Sequence, residues 1–424
     1  MTTKIRTRMY LNLAGLVCLS LVISACGSVS LSKNKPIGGL WDVTLTDGTV
    51  NWTSASELVQ EQHDGFELAN QDAKFDEVNL SEGSNQDDVQ LAVRKLVEGQ
   101  TENPKSDPVL AMIGATTNQA TARAAALANF FNVPMVIPSA SGDNLLPSNN
   151  LWAFQLNPPN SSYANFIMGT VLNKQTLRSN SSVDISPSVN IAILYEQNTY
   201  GENAAVATAS AALQQEFEVT TYDKFPAENT DPVQLRVLVN EVLDQGAQVV
   251  FIISSDPAVS QQLVFTFTSL ADPVTLPILV GIAGGFSSQD FIHSSQAKYV
   301  YVLQQQFNST DCPSDIKSIN SAQNYAAVKL LDYAFKQVSN QPLDTVAKLS
   351  LTNPDGLNLY RETVRDIIKS ANLNLPCLGQ VAFDNTGQNK FAQFEIVMTS
   401  NGATRVVTNA EFISTVKQIL GTGG

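Results

Sequence analysis

The apolar positions of this chain fall in short continuous runs separated by longer stretches of helical character. Residues 108–114 (PVLAMIG) form one such run, closed by glycine, as a strand buried on both faces does. Thr117 to Phe131, with Ala at 120, 122, 124, 125, 126 and 128, predicts a helix, and 133–138 (VPMVIP) predicts a second strand. The alternation continues with strands at 189–195, 218–222, 248–253 and 276–281. Helices at 204–217, 233–245 and 259–270 separate them. Regular alternation of this kind predicts an α/β fold with parallel sheets covered by helices. So many units exceed one sheet of usual size, and two α/β lobes are expected.

In open parallel sheets, ligands sit beyond the carboxyl ends of the strands. The loops at those ends are 115–118 (ATTN), 139–142 (SASG), 196–200 (EQNTY), 254–256 (SSD) and 282–285 (IAGG). They offer hydroxyls, amides and exposed backbone N–H groups, all suited to a polar ligand. Taken singly, each residue also serves as a helix N-cap.

Composition narrows the function. Lys and Arg number 25 against 39 Asp and Glu, a net charge of −14. Leaving out Lys4, Arg6 and Arg8, which fall in a segment expected to be removed, gives 22 against 39, or −17. So acidic a chain, with no basic stripe, argues against nucleic acid. At roughly 150 residues per domain, 424 residues allow two or three domains. Two histidines and four cysteines leave little for a zinc site made by protein alone or a His-based catalytic centre. His63 lies in a polar helical stretch and His293 in a loop, and both are expected at the surface. No nucleophile elbow, HExxH, Walker loop or GxGxxG is found, so an enzyme is not expected.

Lys4, Arg6 and Arg8 precede an apolar run from Tyr10 to Ile23, too short to span a bilayer comfortably. Ile23-Ser24-Ala25-Cys26 then resembles the bacterial lipobox, in which the cysteine is lipidated and becomes the new N-terminus. The expectation is a signal peptide over 1–25 and a lipidated tether over 26–36, with the folded part extracytoplasmic and held at a membrane surface. Cys312 and Cys377 then remain as an even pair. In an oxidising compartment they are expected to form a disulfide, two buried free thiols being the alternative.

The stretch from Leu110 to Leu146 resembles the type I periplasmic binding proteins of the branched-chain amino acid transport group. It has that family's order of strand, hydroxyl loop, Ala-rich helix and VPMVIPSAS segment. Gln86 to Val97, the run from Ile191 to Gly201, Asn324-Tyr325-Ala326-Ala327 and the segment 379–387 (GQVAFDNTG) resemble further landmarks. The likeness extends over roughly Ile37 to Val407 and implies two Rossmann-like lobes with parallel sheets joined by a three-strand hinge. The crossings then fall near Asn157, Gln305 and Gly379. The N-terminal lobe comprises 37–157 plus 306–379, and the C-terminal lobe 158–305 plus 380–424. A ligand lies between the lobes, which close over it. The resemblance implies that a ligand carboxylate meets Thr117, Asn118, Ser139, Ala140 and Ser141. Ser255, Asp256 and Tyr200 serve from the other lobe, and Trp41 and Asp42 cap the ligand. Relatives often place an acid for the ligand ammonium where this chain has Ala283. Either Asp256 or Asp42 replaces it, or the ligand has no ammonium group. The implied function is capture of an amino acid, amide or small carboxylate for an ABC importer in the membrane, without a cofactor. The alternative is a lipoprotein of the same fold that regulates or senses for a cell-envelope partner.

Overall fold

The computed structural model describes residues 35–46, 49–83, 85–100, 106–178, 189–227, 230–341, 349, 351, 353–400 and 403–422. The expected signal peptide and Cys26 lie outside the described residues. No helix among the described residues is long and apolar enough to cross a membrane.

Two sheets organise the chain. The first is built from β1 (Pro36–Trp41), β4 (Asp76–Ser81), β5 (Ala111–Ile113), β6 (Met135–Ile137) and β7 (Ala153–Gln155), with β2 (Leu45–Thr46) and β3 (Thr49–Val50) forming a small hairpin beside it. Its order is β4-β1-β5-β6-β7 and every pairing is parallel. The helices between these strands are α1 (Glu57–Ala73), α2 (Gln86–Glu98) and α3 (Asn118–Phe131). Each begins on a side-chain cap, from Ser56, Asn85 and Thr117 respectively, which pairs N–H groups that a helix start leaves open.

After β7 the chain forms α4 (Asn160–Asn165) and α5 (Lys174–Arg178), then enters the second sheet at β8 (Asn190–Glu196). Next come α6 (Thr199–Gln214), β9 (Glu218–Phe225), α7 (Pro232–Asp244), β10 (Val249–Ile253), α8 (Pro257–Leu270), β11 (Ile278–Ile282), α9 (Gln289–His293) and β12 (Val300–Gln305). Strands β8, β10 and β11 are almost wholly buried, as their unbroken apolar runs require. The chain then returns to the first lobe with α10 (Ile319–Ser339), α11 (Pro354–Ser370), β13 (Asn372–Leu375) and β14 (Gly379–Ala382). It ends on the second sheet with β15 (Phe394–Ser400), β16 (Ala403–Val407) and α12 (Asn409–Thr422). The second sheet runs β16-β15-β12-β11-β10-β8-β9; β15 pairs antiparallel with both β12 and β16, and the remaining pairings are parallel.

Helix α10 is buried along nearly its whole length and lies against α1. The two meet at Gly65, where an added Cβ would sit 2.1 Å from the Ser321 carbonyl oxygen, so the crossing requires glycine. Val381 and Phe383 pack in the same core as α10, and Gln388 bridges to Gln155 of the first sheet. We therefore place the third crossing between Asn389 and Phe394 rather than at Gly379. Cys312 and Cys377 are bonded, with 4.7 Å between their Cα atoms, which ties the segment before α10 to the turn before β14.

Candidate functional site

The loops singled out in the sequence gather where the two lobes meet. Helix α3 of the first lobe packs against α6 of the second. The Asn160 N–H, just past the first crossing, donates to the Ser141 carbonyl (2.7 Å). With its amide oriented to suit its neighbours, the Asn160 side chain also donates to Ser141 Oγ (2.8 Å) and accepts from Ala204 N of α6 (3.3 Å).

Within the first lobe, Asn118 is buried and its Oδ1 accepts from Ser141 N (3.0 Å) and Gly142 N (3.3 Å), which locks the two hydroxyl loops together. Ser139 Oγ takes a hydrogen bond from Asn324 Nδ2 of α10 (3.0 Å), and the Ala140 carbonyl takes one from Gln155 Nε2 (3.3 Å). Thr117 spends its hydroxyl as the α3 cap. The N–H groups of Thr116 and Thr117 donate to Glu82 Oε2 (2.6 Å) and Oε1 (3.1 Å). Glu82 follows β4 and is fully buried, and burial pushes its carboxyl up to about 8 against the pull of these donors.

The second lobe repeats the device. Glu196, at the end of β8, accepts from Ser255 N (2.7 Å), Ser255 Oγ (2.6 Å) and Ser254 Oγ (3.4 Å), with the Asn198 amide against its other side. Burial raises its pKa as well. Asp256 caps α8 through Ala258 N (2.7 Å) and Val259 N (3.2 Å). Tyr200 reaches over to donate to the Ile282 carbonyl (2.8 Å). Ala283 follows with φ +26°, a conformation that L residues rarely adopt.

Neither protein-family models nor curated proteins match this sequence. Solved structures do. A leucine-binding protein from Thermotoga maritima superposes with a TM-score of 0.63 at 13% identity, over 88% of this chain and 97% of that one. A branched-chain amino acid transporter substrate-binding protein from Streptococcus pneumoniae, in complex with isoleucine, gives 0.62 at 16% identity over 88% and 99%. An ABC transporter solute-binding protein from Rhodopseudomonas palustris, in complex with benzoate, gives 0.64 at 12% over 88% and 95%. This chain has the type I periplasmic binding protein fold.

In that fold the remaining expected residues divide. Thr117, Asn118, Ser139, Ala140 and Ser141 come together on one lobe, as do Tyr200, Ser255, Asp256 and Ala283 on the other. Trp41 does not join them. It ends β1 inside the first core, 1% exposed, with Nε1 donating to Asn79 Oδ1 (2.8 Å), while the exposed Asp42 beside it donates its N–H to Thr116 Oγ1 (3.1 Å). The histidines also differ from expectation: His293 ends α9 rather than lying in a loop, and His63 is largely buried under Trp52.

Sequence reasoning passed over three acids. Glu196 stood in a loop flagged for scrutiny but without a role, and Glu82 follows a strand too polar to recognise. The third, Glu61 of α1, accepts from Gln289 N of the second lobe (2.6 Å) and from Ser318 Oγ (2.7 Å) and Asn320 Nδ2 (3.1 Å) of the first. One turn earlier, Glu57 lies near Asp290 across the same junction, its Oε2 buried without a hydrogen-bond partner. Burial first, then the nearby Asp290, push Glu57 up to about 8.

Proposed function

We propose that this chain is the lipid-anchored, solute-capturing component of an ABC importer, closing its lobes around a small polar molecule and presenting the closed form to a membrane permease. The observation that carries this reading is the convergence of strand-end loops from both lobes at one junction, bridged by Asn160 between Ser141 and Ala204. Solved proteins of this fold that are described as transporter solute-binding proteins, in complex with isoleucine or benzoate, support it by analogy. Lipid attachment at Cys26 rests on the lipobox, and the acidic surface suits encounter with basic residues of a permease.

Among amino acids, amides and small carboxylates, the geometry favours amides. The N–H groups of Thr116, Thr117, Ser141, Gly142 and Ser255 are already engaged by in-chain acceptors. A ligand carboxylate would also meet Glu82 and Glu196. By contrast, Gln155 Oε1 and Asn324 Oδ1 are buried without a partner, and so is the donor Asn118 Nδ2. All three side chains contact the Ser139–Gly142 loop. A primary amide or urea-like solute offers N–H donors and a carbonyl acceptor to match.

The second reading, a regulator or sensor of a membrane partner, draws on the same fact: loops pinned by internal acids keep their shape with no solute present. A thermal-shift panel of amides, urea, branched and aromatic amino acids and small carboxylates separates the two. A cognate ligand at 100 times its Kd stabilises the fold by about 2.7 kcal/mol. A shift with amides alone supports the ligand class, and one with carboxylates alone overturns it while leaving capture intact. Silence across the panel favours the regulator.

A further inference from the structure

Helix α1 carries a second group of polar side chains besides Glu57 and Glu61. His63 and Glu67 lie one turn apart on one face of the helix, and Glu77 of the edge strand β4 comes up beside them. His63 Nε2 is 3.5 Å from Glu67 Oε1 and 3.5 Å from Glu77 Oε1, and the three groups offer ligand atoms within 4.8 Å of one another. Both His63 Nε2 and Glu77 Oε1 are shut off from solvent, and neither has a hydrogen-bond partner. Two buried polar atoms pointing at one place and bonded to nothing is a costly arrangement. The Glu67 and Glu77 carboxyl groups also crowd each other around the imidazole. The imidazole is not free to turn away. Trp52 stacks on it with 3.5 Å between ring centroids, and Trp41 stands edge-on at 5.4 Å.

We propose that His63, Glu67 and Glu77 form a binding site for a divalent transition-metal ion, with zinc the ion that fits best. One imidazole nitrogen and two carboxylate oxygens are a zinc donor set, with a fourth position left for water. Ligands about 2.0–2.1 Å from a tetrahedral ion lie about 3.3 Å apart, against 3.5 Å from the imidazole nitrogen to each carboxylate oxygen here. Calcium and magnesium ask for six or more oxygens, which three side chains including an imidazole do not supply. A cation between these atoms gives both orphaned atoms a partner and offsets the repulsion between the carboxylates. It also fastens α1, which holds Gln289 of the other lobe through Glu61, to the sheet edge.

The test uses the full chain with Cys18 and Cys26 replaced by serine, so that no thiol competes, stripped of metal by chelator and then titrated with zinc. Isothermal titration and Trp fluorescence report binding, the latter because Trp52 covers the imidazole. One zinc per chain is expected, with affinity falling tenfold or more in His63→Asn and in the isosteric Glu77→Gln, about 1.4 kcal/mol or more each. His293→Asn is expected to bind as the parent does. Circular dichroism of each metal-free variant shows whether it is folded, and Glu77→Gln keeps the test valid should His63→Asn fail to fold. Absence of binding at about 100 μM zinc, where even a site with a Kd of about 100 μM is half filled, overturns the proposal. So does binding that His63→Asn and Glu77→Gln leave unchanged.

Discussion

Replacing Glu82 by glutamine tests the claim that a buried internal acid holds the first-lobe loop. The side chain accepts from Thr116 N and Thr117 N, is fully buried, and has its carboxyl pushed up to about 8 from an ordinary 4.5, chiefly by burial. Between those two values the unfolded chain has released the proton and the folded chain still holds it. Folding therefore takes up a proton, and stability falls as pH rises. The contribution is complete below about 4.5 and is lost as pH passes through about 8. In the middle of that window the slope is about 1.4 kcal/mol per pH unit. Going from about pH 5.5 to about pH 7 thus removes about 2 kcal/mol through this one group. Glutamine does not titrate, so the variant loses none of it.

The starting offset follows from the same geometry. A protonated carboxyl still presents two oxygens to the two N–H groups, whereas an amide presents one. A buried donor left unpaired costs about 1–3 kcal/mol, so Glu82→Gln is the less stable protein at the acid end. Urea unfolding of both proteins at the two pH values, at one ionic strength, reads the difference directly. The gap is expected to close by about 2 kcal/mol on going to the higher pH. A gap that stays constant, or widens, means that Glu82 is ionised throughout, and the reasoning is refuted.

Other expectations follow from single contacts. Replacing Cys312 and Cys377 together by serine opens a link across 65 residues and is expected to cost about 4 kcal/mol, measured by urea unfolding against the oxidised parent. Arg361 is buried and donates to the carbonyls of Val97 (3.0 Å) and Val109 (2.7 Å), so Arg361→Met strands two acceptors and should lose about 2–4 kcal/mol by the same assay. Burial and the nearby Asp290 push Glu57 up to about 8, so it gains its charge across the lobe junction as pH rises through that value; the radius of gyration from small-angle scattering should grow between about pH 7 and about pH 9 and stay level in Glu57→Gln, and no growth in the parent counts against the contact. Gly201→Ala puts a Cβ 2.1 Å from the Glu196 carbonyl oxygen, and a loss of about 1–3 kcal/mol is expected; a loss below about 0.5 kcal/mol would show that the approach is not so close.

What could be read from the sequence follows burial. Strands β8, β10 and β11 are covered on both faces, so their apolar runs stand out and their positions emerge within about two residues. Strand β4 (DEVNLS) is an edge strand with a single fully buried residue, and nothing in its composition marks it. Glu82 was missed with it, because a loop after an unseen strand draws no scrutiny. Strand β1 is hidden differently. Its Gly38 and Gly39 resemble a turn, yet an added Cβ on Gly38 would meet Leu96 at 2.7 Å, and one on Gly39 would meet Trp41 Nε1 at 2.3 Å. Here the glycines serve close packing of α2 and of the Trp41 ring. Trp41 itself was expected at the ligand, but its ring is held in the core by Asn79 and edge-on contacts to Trp52 and Phe66. Partner choice of that kind depends on pairing across 38 residues, which local pattern does not carry.

The hydroxyl loops were legible as a set, while the use of their N–H groups was not, and that use bears most on the proposed function. In each lobe an acid from one strand end closes on the loop after another: Glu82 on Thr116 and Thr117, Glu196 on Ser255. A tethered carboxylate is always present at its donors, whereas a solute must compete from bulk solution. A carboxylate ligand would have to displace one of these acids and leave it buried without its donors, and both oppose binding. A solute that presents N–H groups meets none of these obstacles and finds Gln155 Oε1 and Asn324 Oδ1 without partners. The same two acids hold both loops in place before any solute arrives, so ordering the loops adds little to the cost of capture. On this view the fold's anion-binding loops have been turned inward, and selectivity rests on the acceptors left over.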